Sequence, residues 1–93
     1  MNINAFKTSI DNKLLELNKN ELYYIVQEIQ KLLFPTNIHN IIHNIMIFDS
    51  NSLKPIEPIC FYGIIKIIND FFYDERNELI NYLFCKSLQL FKS

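Results

Sequence analysis

Residues 59–72 read ICFYGIIKIINDFF, and apolar side chains recur through nearly the whole stretch. At about 100° per residue, these apolar side chains point in every direction around a helix. A helix that is apolar all round has to be surrounded by other elements, so we expect this one at the centre of the fold. The chain has one glycine and three prolines, which favours helices joined by short turns over a sandwich or barrel.

Four further segments have the spacing of amphipathic helices. Apolar residues recur three or four positions apart over about 5–17, 22–33, 38–45 and 75–91. Asn18 and Glu21 form a capping pair before the second of these, with Asn20 as a second candidate for the cap, and Pro35 ends this helix. Pro58 suits the first turn of the apolar helix, and Asp74 is the expected cap of the last helix. The sequence predicts an all-α fold, a compact bundle of four to five short helices with a central apolar fourth helix.

Size and composition limit the classes of function. Residues 1–93 suffice for one domain, and 49% of them are hydrophobic. A net charge of −1 with scattered lysines argues against nucleic acid as the primary ligand. No signal peptide and no membrane-length apolar run is seen, so no membrane partner is expected.

The same features predict a compartment. With no secretion signal and two cysteines, a disulfide framework is not expected. We therefore expect an intracellular protein, cytoplasmic or nuclear, which includes a viral protein in a host cell. The excess of Ile, Asn, Lys and Phe over Ala, Gly and Arg is typical of an AT-rich coding genome.

No set of residues predicts catalysis, a metal or another cofactor. His39 and His43 have the spacing of two ligands on one helical face, but the glutamate of a metalloprotease motif is missing and both lie off the apolar stripe. Cys60 and Cys85 are interpreted as core residues. The acidic residues near the start of the last helix complement its dipole. We therefore expect a protein that is not an enzyme and has no cofactor.

The last helix carries more apolar residues than a small bundle is expected to hide. They cover about two thirds of its circumference, and such an excess predicts an interaction surface. The expected interface with another chain consists of Leu79, Ile80, Leu83, Phe84, Leu88 and Phe91. On the second helix, either Tyr23 or Tyr24 must point away from the apolar stripe, as a partly covered ring with its hydroxyl in water or as a binding anchor.

The middle of the chain, about residues 21–68, carries a series of motifs in a familiar order. These are Ile29-Gln-Lys31-Leu32, then Ile38-His-Asn-Ile41-Ile42-His-Asn-Ile45, then Leu53-Lys54-Pro55, with apolar residues at 61, 64, 65 and 68. The series resembles the extra-terminal (NET) domain of BET bromodomain proteins. The acidic strand of that family is reduced here to Ile47-Phe48-Asp49, and an additional helix flanks the match at either end.

The resemblance implies a peptide-recognition module. Members of that family pair an extended ligand of alternating apolar and basic residues with a short strand beside a groove. The corresponding positions are Ile42 and Ile45 in the groove, Ile47 and Phe48 as the pairing edge, and Asp49 on the rim. Glu57 would add to the rim, although no family motif assigns it.

We expect a non-enzymatic domain that binds a protein or peptide partner through an apolar groove. The alternative is a structural subunit that forms a homo-oligomer or packs into a larger assembly through its C-terminal helix, since obligate interfaces resemble a core cut in half.

Overall fold

The described parts of the chain are helical almost throughout. The computed structural model describes residues 2–33 and 54–93, and in these ranges it contains four α-helices, one short 3-10 helix and no strand. In chain order they are α1 (Ile3–Leu15), α2 (Lys19–Leu33), α3 (Cys60–Phe71), the 3-10 helix (Tyr73–Glu75) and α4 (Arg76–Lys92). The all-α fold class is confirmed. The helix predicted over 38–45 lies outside the described residues.

Asparagine side chains cap the first two helices. The Asn2 Oδ1 atom accepts hydrogen bonds from the backbone N–H groups of Asn4 at 2.6 Å and Ala5 at 3.4 Å. Asn18 and Glu21 cap each other, because the Asn18 side chain accepts from the Glu21 N–H at 2.9 Å and the Glu21 carboxylate accepts from the Asn18 N–H at 3.1 Å. This reciprocal pair is the predicted capping box, and it satisfies two N–H groups that the helix leaves unbonded.

The chain enters α4 differently from the prediction. No side chain caps this helix, so the expected cap at Asp74 is wrong. The 3-10 helix includes Asp74 and ends at Glu75, directly before α4 begins. The Glu75 N–H donates to the Phe72 carbonyl at 3.0 Å. Asp74 is therefore one residue too early to reach the first N–H groups of α4.

The core lies where α4 packs against α2 and, along another side, against α1. Leu79 and Leu83 of α4 are fully buried there. Aromatic pairs close the two ends of the core, with Phe6 stacked on Phe72 at 5.0 Å between ring centroids and Tyr23 stacked on Phe91 at 5.6 Å. The long C-terminal helix is thus the element around which the described helices assemble.

Among the described helices α4, and not α3, takes the central position, which corrects the expectation from the apolar composition of α3. Only Phe61, Ile64 and Ile68 of this helix are buried. Tyr62 and Phe71 remain 70% and 72% exposed, and Ile59 just before the helix is fully exposed. The helix has apolar residues on all sides, but among the described elements neighbours cover only one side of it.

Polar contacts fix α1 and α2 to α4. The Tyr82 hydroxyl lies 2.8 and 2.9 Å from the two carboxylate oxygens of Asp11, and Lys7 pairs with Glu78 at 2.7 Å. Lys19 donates to the carbonyl of Phe91 at 3.1 Å, where a cation complements the negative end of the helix dipole. Among the helices of residues 2–33 and 54–93, none combines the length and apolarity needed to cross a bilayer.

Candidate functional site

A groove separates α1 from α3. Phe6 near the start of α1 stacks on Phe72 after the end of α3, while Lys13 near the end of α1 and Cys60 at the start of α3 line the same cavity. The two helices therefore run in opposite directions. Both pack against α4 more than against each other, so a space of about 300 Å³ remains between them.

The walls of this α1/α3 groove carry small side chains, and its floor is apolar. Phe6, Ile10 and Ile64 are buried and form the floor. Ala5 and Ser9, four positions apart and therefore on one face of α1, form one wall. The described residues that line the groove are Ala5, Phe6, Ser9, Ile10, Lys13, Cys60, Gly63, Ile64 and Ile67.

Gly63 keeps the α3 wall open. A Cβ atom placed on this residue would have no heavy atom within 4 Å, apart from its own helix and chain neighbours. Glycine in the interior of a helix lowers stability by roughly 0.5–1 kcal/mol relative to alanine. Neither a positive φ angle nor a close contact requires glycine here, so its structural effect is to leave space on this side of α3.

Cys60 lies at one end of the groove and is half-buried. Burial raises the pKa of its thiol, while the nearby charge of Lys13 acts in the opposite direction and is the smaller effect. A thiol with a raised pKa is mainly protonated near neutral pH, and the protonated form is a poor nucleophile. Cys60 therefore contributes an apolar, polarizable surface to the groove.

Among the described lining residues of the groove, the charged one, Lys13, lies at its end. Beyond Cys60 the groove continues into a shallower hollow that is bordered by Lys13, Glu16, Glu21 and the exposed Ile59. Glu21 is already engaged in the cap of α2. Charges of both signs at this end give the groove no strong preference for an acidic or a basic ligand.

The residues predicted from the NET resemblance mostly cannot be placed. Ile42, Ile45, Ile47, Phe48 and Asp49 lie outside the described residues. Glu57 is exposed in the extended segment before α3, and its charge contributes, after burial, to raising the pKa of Tyr24. That segment contacts the start of α2, since the Ile56 N–H donates to the Asn20 carbonyl at 3.2 Å.

The residues predicted to face another chain lie inside this one. Leu79, Ile80, Leu83, Phe84 and Phe91 are buried in the core, and Leu88 is half-buried against it. The expected surplus of apolar surface on the last helix is therefore wrong. Helix α4 has 17 residues and passes both α1 and α2, so two neighbours cover its broad apolar face.

The two tyrosines of the pair on α2 differ in burial. Tyr23 is buried against Phe91, and its hydroxyl accepts a hydrogen bond from Gln27 at 2.7 Å. Tyr24 is half-buried and meets the ring of Phe61 edge-on, with centroids 5.5 Å apart. Tyr24 is thus the partly covered ring of the pair, because α3 lies beside it and covers part of it.

The α1/α3 groove was not predicted from the sequence. The available signal was Gly63, an isolated glycine inside an apolar helix, which commonly marks close approach or a functional surface. Ala5 and Ser9 gave a second, weaker signal as small residues at helical spacing. Neither residue type stands out in a search for catalytic or metal-binding chemistry.

Metal ligands do not cluster in the part of the chain that the structure describes. Among residues 2–33 and 54–93, no group of three or more His, Cys, Asp or Glu side chains is placed to hold a metal ion. His39 and His43 lie outside these ranges. Cys60 and Cys85 are both free thiols.

Comparison with known proteins gives no family for this chain. No model of a protein family, no curated protein and no solved structure matches it.

Proposed function

We propose that this chain is a non-enzymatic interaction domain that binds an apolar helix of a partner protein in the α1/α3 groove. The observation that carries the proposal is the groove itself, which has a buried apolar floor and a wall kept open by Gly63. Exposed apolar area next to a shaped cavity commonly marks an interaction site.

The dimensions of the groove suit a helical ligand. From Ala5 to Lys13 the α1 wall rises about 12 Å, which is a little over two helical turns. A helix of that length presents three apolar anchors at positions i, i+3 or i+4, and i+7. The small side chains of Ala5, Ser9 and Gly63 allow such a helix to approach closely, with its anchors resting on the floor.

The chemistry of the lining supports binding over catalysis. The thiol of Cys60 is mainly protonated, and among the described residues that line the groove there is no histidine or carboxylate; Glu16 and Glu21 stand in the hollow beyond Cys60. Ser9 has no such base in the lining either. These residues supply shape and apolar surface.

A selection of helical peptides tests the proposal. A displayed library of amphipathic helices is panned against the wild-type protein, and the selected peptides are then measured against Gly63→Phe and Gly63→Ala. We expect Gly63→Phe to weaken binding at least tenfold, because its ring enters the groove, while Gly63→Ala binds nearly as well as the wild type. Selected peptides that bind all three proteins equally would show that the groove is not the binding site.

The peptide-module interpretation remains a second proposal, supported by the motifs between residues 21 and 68. It predicts an extended ligand with alternating apolar and basic residues. Phe48→Ala or Asp49→Lys should then abolish capture of such a peptide, while the molecular mass in solution and the folding stay unchanged. Gly63→Phe should have no effect on capture of this peptide. The two proposals therefore differ both in the ligand and in the variants that block it.

For the compartment, we propose an intracellular setting, cytoplasmic or nuclear. The two free thiols support this, because reducing compartments preserve unpaired cysteines. Imaging of the tagged protein in its native cells tests the proposal, and accumulation in the secretory pathway would contradict it.

A further inference from the structure

The α1/α3 groove is long and narrow. Its volume of about 300 Å³ extends over the roughly 12 Å by which α1 rises from Ala5 to Lys13, so its mean cross-section is about 25 Å². A helix with its side chains is about 10 Å across. The backbone of a bound helix therefore stays above the groove, and one row of its side chains enters.

The volume of the groove limits the size of these side chains. Three anchors at positions i, i+3 or i+4, and i+7 span about 10 Å, which is close to the length of the groove. A third of its volume, about 100 Å³, is then available to each anchor. At about 30 Å³ for each non-hydrogen atom, the share of a water molecule in the liquid, this space holds three or four atoms. The side chains of valine, leucine, isoleucine and methionine have three or four such atoms, whereas phenylalanine has seven and tryptophan ten.

The lining resists a larger or more polar anchor. The floor residues Phe6, Ile10 and Ile64 are at most 4% exposed, so they have no free space to move into. A tyrosine hydroxyl or a tryptophan N–H that becomes buried usually needs a hydrogen-bond partner. Apart from Ser9, no residue of the described lining has a side-chain oxygen that could accept such a bond.

We infer that the α1/α3 groove selects a partner helix with a row of aliphatic anchors and rejects aromatic anchors. This preference presupposes the proposed binding of a helix in the groove and names the side chains that the helix carries. Aromatic residues are the usual hot spots of protein interfaces, so an aliphatic preference is a specific property of this groove. A ring forced into it overpacks the floor or holds the helix away from the walls, and both weaken binding.

The helices selected from the displayed library test this preference. Compared with the unselected library, their three anchor positions should be enriched in leucine, isoleucine, valine and methionine and depleted of phenylalanine, tyrosine and tryptophan. Synthetic copies of one selected helix then carry phenylalanine at each anchor in turn. Each of these phenylalanine peptides should bind the wild-type protein about tenfold more weakly than the parent peptide, or weaker still, in isothermal titration calorimetry.

An enlarged groove shows whether space is the cause. Ile67 lines the groove and is half-buried, so Ile67→Ala adds the space of three carbon atoms to the α3 wall. One of the three phenylalanine peptides should recover most of its lost affinity for this variant. Ile65→Ala is the matched control, because Ile65 is a half-buried residue of the same helix outside the groove lining. It should leave the wild-type preference unchanged, and circular dichroism checks that both variants are folded.

The possible failures separate the preference from the binding site. Selected helices with aromatic anchors that Gly63→Phe blocks would overturn the preference and leave the groove as a binding site. Phenylalanine peptides that bind the wild type as tightly as the parent peptide would do the same, as would an Ile67→Ala variant with no more effect than Ile65→Ala. A library without binders, or helices that bind Gly63→Phe as well as the wild type, would contradict the proposed function and the preference with it.

Discussion

At the scale of single residues, Gly63 is the most informative position in the described structure. It is the sole glycine of the chain, and it stands in the interior of α3. Almost any other residue stabilises the interior of a helix more than glycine does. Gly63 therefore lowers the stability of α3 and leaves open space beside the helix.

Gly63→Ala should therefore stabilise the protein. We expect a gain of about 0.5–1 kcal/mol in the free energy of unfolding, because alanine restricts the unfolded chain and favours the helix. Urea denaturation followed by circular dichroism measures it. A loss of stability would mean that the space beside Gly63 is already filled.

The two cysteines should differ in reactivity. Burial raises the pKa of Cys60, whereas Cys85 is exposed on α4. In the single-cysteine variants Cys85→Ser and Cys60→Ser, we expect iodoacetamide to alkylate Cys60 more slowly near neutral pH, with a rate that climbs as the thiolate forms at higher pH. Mass spectrometry over time gives both rates, and equal rates would argue against the half-buried position of Cys60.

At the scale of elements, the contact between α1 and α4 includes a group that titrates. Burial, and then the hydrogen bond to Asp11, raise the pKa of Tyr82 from 10.0 to about 12. Because the folded state holds this proton more tightly than the unfolded state, the stabilisation is fully present below pH 10 and is lost as the pH rises toward 12.

Tyr82→Phe should make the loss of stability between pH 10 and pH 12 less steep. Some loss should remain in the variant, since burial also raises the pKa of Tyr24. Urea unfolding at a series of alkaline pH values compares the two proteins. An unchanged slope would indicate that the hydroxyl of Tyr82 does not depend on Asp11 in solution.

The sequence predicted the elements better than their roles. The Asn18–Glu21 cap needs only local chemistry, so it was found with the correct partners. The central position was assigned to α3 because its apolar residues cover the full circle. Which helices lie beside one another depends on the length and direction of every element, and α4 gained that position through its 17 residues. The groove is likewise a property of two helices, and neither sequence contains it alone.

At the scale of the whole molecule, the apolar residues of the two C-terminal helices are distributed in the reverse of the expected way. Most of those of α4 are hidden in the core, whereas Tyr62 and Phe71 of α3 and Ile59 just before it are exposed. The apolar surface that favours an interaction protein is therefore found beside α3, in the α1/α3 groove, and not on α4.

Aspartate substitutions in the core and on the surface should differ in their effect on the free energy of unfolding. Leu83 is fully buried, so Leu83→Asp should cost at least about 3 kcal/mol, because it removes apolar packing and buries a carboxylate without a partner. Tyr62→Asp is the matched surface variant, and its thermal unfolding should stay close to that of the wild type at low protein concentration. If Leu83→Asp unfolded like the wild type, the core described here would be wrong.

Amide NMR of the protein titrated with a selected helical peptide tests most directly whether the α1/α3 groove is a binding site. We predict that the largest shift changes fall on the amides of residues 5–13 and 60–67, and that Gly63→Phe abolishes them. Changes confined to other residues, with these two segments unaffected, would contradict the account.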